Sequence, residues 1–153
     1  MALADFFSGL STSASVASTF QSLLKNTRGT QRALLLELQK NINLLNLFIS
    51  DDAKTETIIK KLEISEYEQA VKSDFNFKAL KKTRVSGRLV AGIKFLEPYS
   101  GWQTEQLFEN IYLKIHQLKS IIEIDPDNKN FRLGVRLKNL HKVMILLLKH
   151  IKY

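Results

Sequence analysis

The side-chain pair best suited to chemistry in this sequence is Arg136 and His141, in the segment RLKNLH. A histidine with a pKa near ~6.5 exchanges a proton with a ribose 2′-hydroxyl or a water at neutral pH. An arginine can hold a phosphate through two parallel hydrogen bonds. Together these two residue types indicate the cleavage of a phosphodiester bond in RNA.

The spacing of this pair resembles the R-x4-6-H element of the HEPN ribonucleases, although the resemblance covers only RLKNLH. It implies an all-α fold of similar size, a motif in a late helix, and a dimer in which two motifs face one RNA groove. Leu137 departs from the family's pattern, in which a polar residue often follows the arginine. A five-residue step turns about 140° around a helix, so the two side chains do not share a face. Arg136 and His141 are therefore the alternative catalytic pair, and no catalytic site is favoured.

Two basic blocks hold most of the net charge of +8. Residues 72–94 contain seven Lys or Arg against Asp74 alone, and residues 129–153 contain seven and no acid. Charge of one sign that is clustered in this way attracts polyanions. Lys149 and Lys152 extend the second block. The predicted nucleic-acid-binding residues are Lys78, Lys81, Lys82, Arg84, Arg88, Lys129, Arg132, Arg136, Lys138 and Lys142.

Several classes of site are excluded by composition and spacing. The chain has no cysteine, which excludes disulfides, thiolate zinc sites and cysteine nucleophiles and is compatible with a cytoplasmic protein. No HExxH, no pair of histidines four residues apart and no glycine-rich phosphate loop occurs. The first basic residue is Lys25, so no secretory signal is evident. We expect a cytoplasmic protein with no cofactor and no metal.

Apolar residues recur at helical spacing along almost the whole chain, and Pro and Gly are few. The pattern predicts one all-α domain over residues 1–153, a bundle of four main helices plus one or two short ones. The segment VMILLL at 143–148 is apolar all round, which is typical of a bundle centre or a subunit interface. The predicted helices span about 2–24, 31–49, 53–62, 65–73, 79–96, 103–123 and 130–151.

Both basic blocks fall on predicted helices, at 78–94 and 129–152. If these helices pack side by side, their outer faces form one positive strip. Three aromatic residues near the first block, Phe75, Phe77 and Tyr99, could stack on nucleobases, but burial is the commoner role of phenylalanine and we favour it. Trp102 is either a contact residue or a local plug.

The N-terminal segment 2–24 pairs an apolar stripe, which includes Ala14 and Ala17, with an uncharged Ser/Thr face. We favour a helix that docks on the bundle, binds a partner or mediates self-association. The same pattern is also found in helices that lie on membranes, so an anchor on a membrane surface is the alternative. In the next helix three asparagines interrupt the stripe, and at least two of them are expected to be exposed.

The favoured function is a non-enzymatic binding or assembly protein. Its basic segments would contact RNA, DNA or an acidic protein, and a homo-oligomer stays open. The first alternative is a HEPN-like ribonuclease, a toxin or defence effector that uses Arg136 and His141. The second is a membrane-surface protein that is anchored by residues 2–24.

Overall fold

The computed structural model describes residues 13–153, which consist of helices joined by turns and irregular loops and contain no strand. The α-helices are α1 (Ser13–Leu24), α2 (Gly29–Asp51), α3 (Thr55–Lys61), α4 (Ser65–Lys72), α5 (Gly87–Val90), α6 (Thr104–Ile124) and α7 (Leu133–Lys152). Three short 3-10 helices lie at Phe77–Ala79, Glu97–Tyr99 and Lys129–Phe131. The predicted all-α bundle with four main helices, α1, α2, α6 and α7, is confirmed.

The central element of the bundle is α7, which packs against α2, α6 and α5. Every residue from Val143 to Ile151 is buried, as the all-round apolar segment predicts for a bundle centre. The stripe predicted for α6 is also buried throughout: Leu107, Ile111, Ile115, Leu118 and Ile122. These two helices run antiparallel, because Thr104 at the start of α6 contacts His150 at the end of α7.

A buried amide on α2 fixes the connection between α3 and α4. The Asn41 side chain donates to the Glu63 carbonyl over 2.9 Å and accepts from the Glu63 backbone N–H over 2.8 Å. One side chain thereby satisfies both backbone groups of a residue outside any helix, which removes the cost of burying them. Of the three asparagines on this helix only Asn43 is exposed, so the prediction that at least two are exposed is wrong.

A buried carboxylate lies one turn earlier on α2. Glu37 is only 1% exposed. Its oxygens accept from the backbone N–H groups of Glu66 and Tyr67, over 2.8 and 3.2 Å. These amides belong to the first turn of α4 and have no partner within that helix, so Glu37 caps it from outside. The Tyr112 hydroxyl also donates to Glu37 over 2.8 Å, and burial, followed by the Glu37 charge, raises the pKa of Tyr112.

The prediction of a basic helix over residues 78–94 is wrong. Only α5 forms there, because the backbone of Val85 pairs outside any helix. Its N–H donates to the Trp102 carbonyl over 2.8 Å, and its carbonyl accepts from Gly101 N–H over 2.9 Å. The Ser86 hydroxyl then accepts from the Arg88 N–H and starts α5 as its N-cap. A β-branched residue next to a good capping residue favours this break.

The prediction of the second basic helix is confirmed from Leu133 onward, but the helix does not begin at residue 129. A 3-10 turn covers Lys129–Phe131, and Arg132 has a left-handed backbone with φ of 51°. A non-glycine residue in this region is uncommon, and here it forms the N-cap of α7. The side chains of Lys129 and Arg132 therefore do not follow the helical spacing that the sequence suggested.

Of the predicted N-terminal helix 2–24, residues 2–12 lie outside the described part of the chain. The remainder is α1, which packs on α2 through Val16 and Phe20. Ala14 and Ala17 are exposed, so the buried face is rotated away from the predicted stripe. Within residues 13–153, no helix combines the length and the apolar character that a membrane crossing requires.

Candidate nucleic-acid interface

Four cations of the first basic block line one cleft of about 170 Å³ beside the start of α6. Lys78 lies in the 3-10 helix Phe77–Ala79, and Lys81, Lys82 and Arg84 follow it on an irregular loop, so the four cations do not share one face of an α-helix. The cleft is lined by Lys78, Lys81, Lys82 and Arg84 together with Asn76, Gln103, Thr104 and Glu105. We call it the basic cleft.

A buried threonine ties the loop of the basic cleft to both long helices. The Thr104 hydroxyl, in a residue 2% exposed, donates to the Lys81 carbonyl over 2.9 Å. Its oxygen also lies 2.9 Å from His150 Nε2. A hydroxyl has one hydrogen, so His150 must be the donor in this second bond. Burial, and then the nearby Lys81 charge, lowers the pKa of His150 to about 4, which leaves the ring neutral at pH 7.

The loop 95–102 connects the basic cleft to the middle of α6. Arg84 Nη1 donates to the Gly101 carbonyl over 3.0 Å. Gly101 has φ of 81°, a turn conformation that glycine adopts without strain. Trp102 packs edge-on against Tyr99, with ring centroids 4.7 Å apart, and lies against the core. The structure therefore gives Trp102 a packing role and brings its loop next to Arg84.

A second group of cations surrounds Phe95. Lys114 on α6 donates to the Tyr99 hydroxyl over 2.8 Å, and its ammonium lies 5.8 Å from the centre of the Phe95 ring. The Lys142 ammonium lies 5.6 Å from the same ring centre. A pocket of about 120 Å³ opens beside the ring; we call it the Phe95 pocket. It is lined by Phe95, Lys114, Gln117, Leu118, Arg136 and Asn139.

The two basic blocks are thus joined by a continuous series of contacts. The series runs from Arg84 through the loop 95–102 to Lys114, and from Phe95 to Lys142. Gln103 is the N-cap of α6, and Lys114 follows about three helical turns or roughly 16 Å later, so the two residues lie on one side of the helix. We call this region the basic–aromatic surface; it consists of the basic cleft, the loop 95–102 and the Phe95 pocket with Lys142.

Other predicted cations lie elsewhere. Lys129 and Arg132 line a separate cleft with Glu56 and Asp127, at the opposite end of α7 from the basic cleft. Along the α7 axis this is roughly 27 Å from His150. Arg88 on α5 and Lys138 on α7 are exposed. Lys149 is 8% exposed, so it does not belong to an outer positive face, and burial lowers its pKa.

The ten predicted cations share one electrostatic property. None of them lies within 4.0 Å of a carboxylate of residues 13–153. Lys40 and Lys60, by contrast, pair with Glu63 and Glu56 at 3.5 and 3.0 Å. Glu105 lines the basic cleft, but it lies beyond 4.0 Å from the ammonium and guanidinium nitrogens there, so these cations stay available to an external anion.

Arg136 and His141 lie on different sides of α7. Arg136 is exposed, lines the Phe95 pocket towards α6, and donates from Nε to the Phe131 carbonyl over 2.8 Å. His141 is 7% exposed and its Nε2 lies 2.9 Å from Asn46 Oδ1 on α2. That oxygen only accepts, so Nε2 carries the hydrogen.

The environment of His141 does not favour proton transfer at neutral pH. Burial, and then the Lys142 charge, lowers the pKa of His141 to about 4. A group with this pKa is a weak base at pH 7. The catalytic alternative stays a prediction, and this geometry does not support it. No cluster of three metal-binding side chains occurs in the part of the chain that the structure describes.

Sequence reasoning missed the two residues around which the surface is built. Phe95 lies next to Ile93 and Leu96 in the sequence but is not part of the apolar stripe that the basic segment was expected to bury. This mismatch was the available sign that the ring is exposed. Lys114 lies in a segment whose net charge is negative, so a search for clusters of positive charge along the sequence does not find it. Phe77 and Tyr99 are buried and Phe75 half-buried, in agreement with the favoured prediction.

Comparisons with protein-family models, with curated proteins and with solved structures give no match to this chain. Its function must therefore be inferred from its own side chains.

Proposed function

We propose that this protein binds nucleic acid through the basic–aromatic surface, and that it does so without cleaving it. The observation that supports the proposal best is the series of contacts that joins the two basic blocks through the loop 95–102. A polyanion binds more tightly to one continuous positive surface than to separate charges, because several phosphates release counterions together.

The character of the surface also supports nucleic acid as its ligand. Cations alternate with aromatic rings: Lys114 and Lys142 lie over Phe95, and Lys114 also lies over Tyr99. Proteins that bind single strands combine a basic groove with aromatic side chains in this way. Lys129 and Arg132 are not part of the proposed surface, because they line a separate cleft at the opposite end of α7.

The test is a salt series of binding measurements with labelled single-stranded RNA and double-stranded DNA, read by fluorescence anisotropy. We expect affinity to fall steeply as salt rises. Replacing Lys81 and Lys82 by Glu should weaken binding and reduce the slope of log affinity against log salt by about 1 for each lysine.

The matched control reverses the same number of charges outside the surface, at Lys129 and Arg132. It should change affinity much less than the Lys81→Glu, Lys82→Glu pair. Equal losses in both variants would reject the proposed location, and salt-independent affinity would reject the phosphate contacts. No binding at low salt would reject nucleic acid and direct the search to an acidic protein.

A long incubation with RNA tests the absence of cleavage in the same samples. We expect intact RNA. Cleavage that the His141→Ala variant abolishes would reject the non-enzymatic proposal in favour of the ribonuclease alternative.

A further inference from the structure

Phe95 is an exposed aromatic ring in a protein whose other aromatic side chains mostly pack together. Its exposure is 36%, whereas Phe77, Phe108 and Tyr112 form a buried cluster. It lies in the turn between α5 and the 3-10 helix Glu97–Tyr99. Burying apolar surface is what ordinarily stabilises an aromatic ring in a fold, so packing does not explain the exposed part of this ring.

The pocket beside the ring has the size and the polar groups for one planar ring system. Its volume of about 120 Å³ is well below the roughly 300 Å³ at which pockets for whole ligands begin. The amides of Gln117 and Asn139 line it, and each offers both donors and an acceptor. Such groups can bond the edge of a nucleobase while the sugar and phosphate stay outside.

Arg136 is placed to bind the phosphate of such a nucleotide. Its Nε is held by the Phe131 carbonyl, which orients the guanidinium at the pocket wall. The N–H groups on its two Nη atoms remain, and they match a phosphate in a two-bond geometry.

The two lysines over the ring can make room for a base. Their ammonium groups lie 5.6 and 5.8 Å from its centre, close to the limit of about 6 Å for a cation–π contact. At an exposed ring this contact is weaker than base–aromatic stacking. Lys114 is also held by the Tyr99 hydroxyl, so Lys142 is the one that a base would displace, and its charge is then free to bind a backbone phosphate.

We infer that the Phe95 pocket holds one unpaired nucleobase stacked on the ring, so that the basic–aromatic surface selects single strands over duplexes. The bases of a duplex are stacked on one another and do not present a free face to the ring. This inference rests on the proposed function and adds its substrate class.

The experiment compares Phe95→Leu, Phe95→Tyr and the wild-type chain in binding to an unstructured single strand and to a duplex of the same length. Leu keeps the apolar bulk but has no ring face, whereas Tyr keeps the ring. We expect Phe95→Leu to lose roughly 5- to 100-fold in single-strand affinity, as expected for the loss of one stacked base, and to bind the duplex within about twofold of wild type. Phe95→Tyr should retain the preference for single strands.

The outcomes separate this inference from the proposal beneath it. If Phe95→Leu binds single strands as well as wild type does, or loses both ligands equally, the stacking site is rejected while nucleic-acid binding stands. If wild type binds neither ligand at low salt, both fail. Coincident thermal unfolding of the three proteins shows that a loss of affinity is not a loss of fold.

Discussion

Two polar regions of this protein differ in how their side chains are paired. They are the buried groups of α2 and the basic–aromatic surface. Glu37 and Asn41 are buried, and their hydrogen-bond partners come from the α3–α4 connection, α4 and α6. The cations of the surface are held by a carbonyl or an aromatic ring, or form no ion pair with a carboxylate of the described residues. Buried polar groups stabilise only when they are fully paired, whereas exposed cations that lack a carboxylate partner are free to bind an external anion.

The largest expected effect is on stability, from Glu37→Ala. Because the change leaves the buried Tyr112 hydroxyl and two part-buried α4 amides without an acceptor, we expect it to lower the free energy of unfolding by about 3–5 kcal/mol. Urea denaturation measures it. Lys40→Ala removes an exposed ion pair on the same helix and should cost less than about 1 kcal/mol. Similar costs for the two variants would contradict a capping role for Glu37.

The next effect for a single residue is a loss of stability in acid. The pKa of His141 and of His150 is lowered to about 4 in the fold, against ~6.5 when unfolded, so the unfolded chain binds more protons between these values. Stability should be complete above pH 6.5 and fall as pH drops towards 4, by up to roughly 3 kcal/mol per histidine. Denaturation midpoints across this range measure the loss. His150→Gln should flatten the profile, and an unchanged slope would argue against burial of a neutral ring.

A smaller effect is expected where the basic cleft meets the buried end of α7. Thr104→Val removes the donor to the Lys81 carbonyl and the acceptor for His150, with little change in volume. We expect a cost of about 1–3 kcal/mol, because both groups are buried or partly buried. Thr104→Ser keeps the hydroxyl and should cost clearly less in the same denaturation assay. If Val is tolerated as well as Ser, this bond does not fix the loop.

The smallest effect on stability is expected within the surface. Lys142→Ala loses an exposed cation–π contact, for which about 1 kcal/mol is the upper expectation. Its effect on binding should be larger than its effect on folding, with the salt slope lowered by about 1. A destabilisation as large as that of Glu37→Ala would mean that this lysine belongs to the scaffold.

The parts of the fold that the sequence predicted correctly are those where one local rule decides the outcome. The apolar stripe from Leu107 to Ile122 predicted α6 correctly. The apolar segment 143–148 required other helices to pack against it on all sides. The region 78–96 failed because a long-range pair, Val85 with the turn at Gly101, competes with helix formation there. No local pattern reports such a pair.

For the candidate site, too, some features followed from the sequence and others only from long-range packing. The sequence by itself determined the all-α fold, the two basic blocks and the absence of cysteine chemistry, since these follow from composition and periodicity. Only the tertiary structure decided which cations lie close together. It linked Arg84 to Lys114 through the loop 95–102, placed Lys129 at the far end of α7, and buried His141 away from Arg136. Charge is a property of the chain, but a binding surface depends on distances across the fold, which only long-range packing sets.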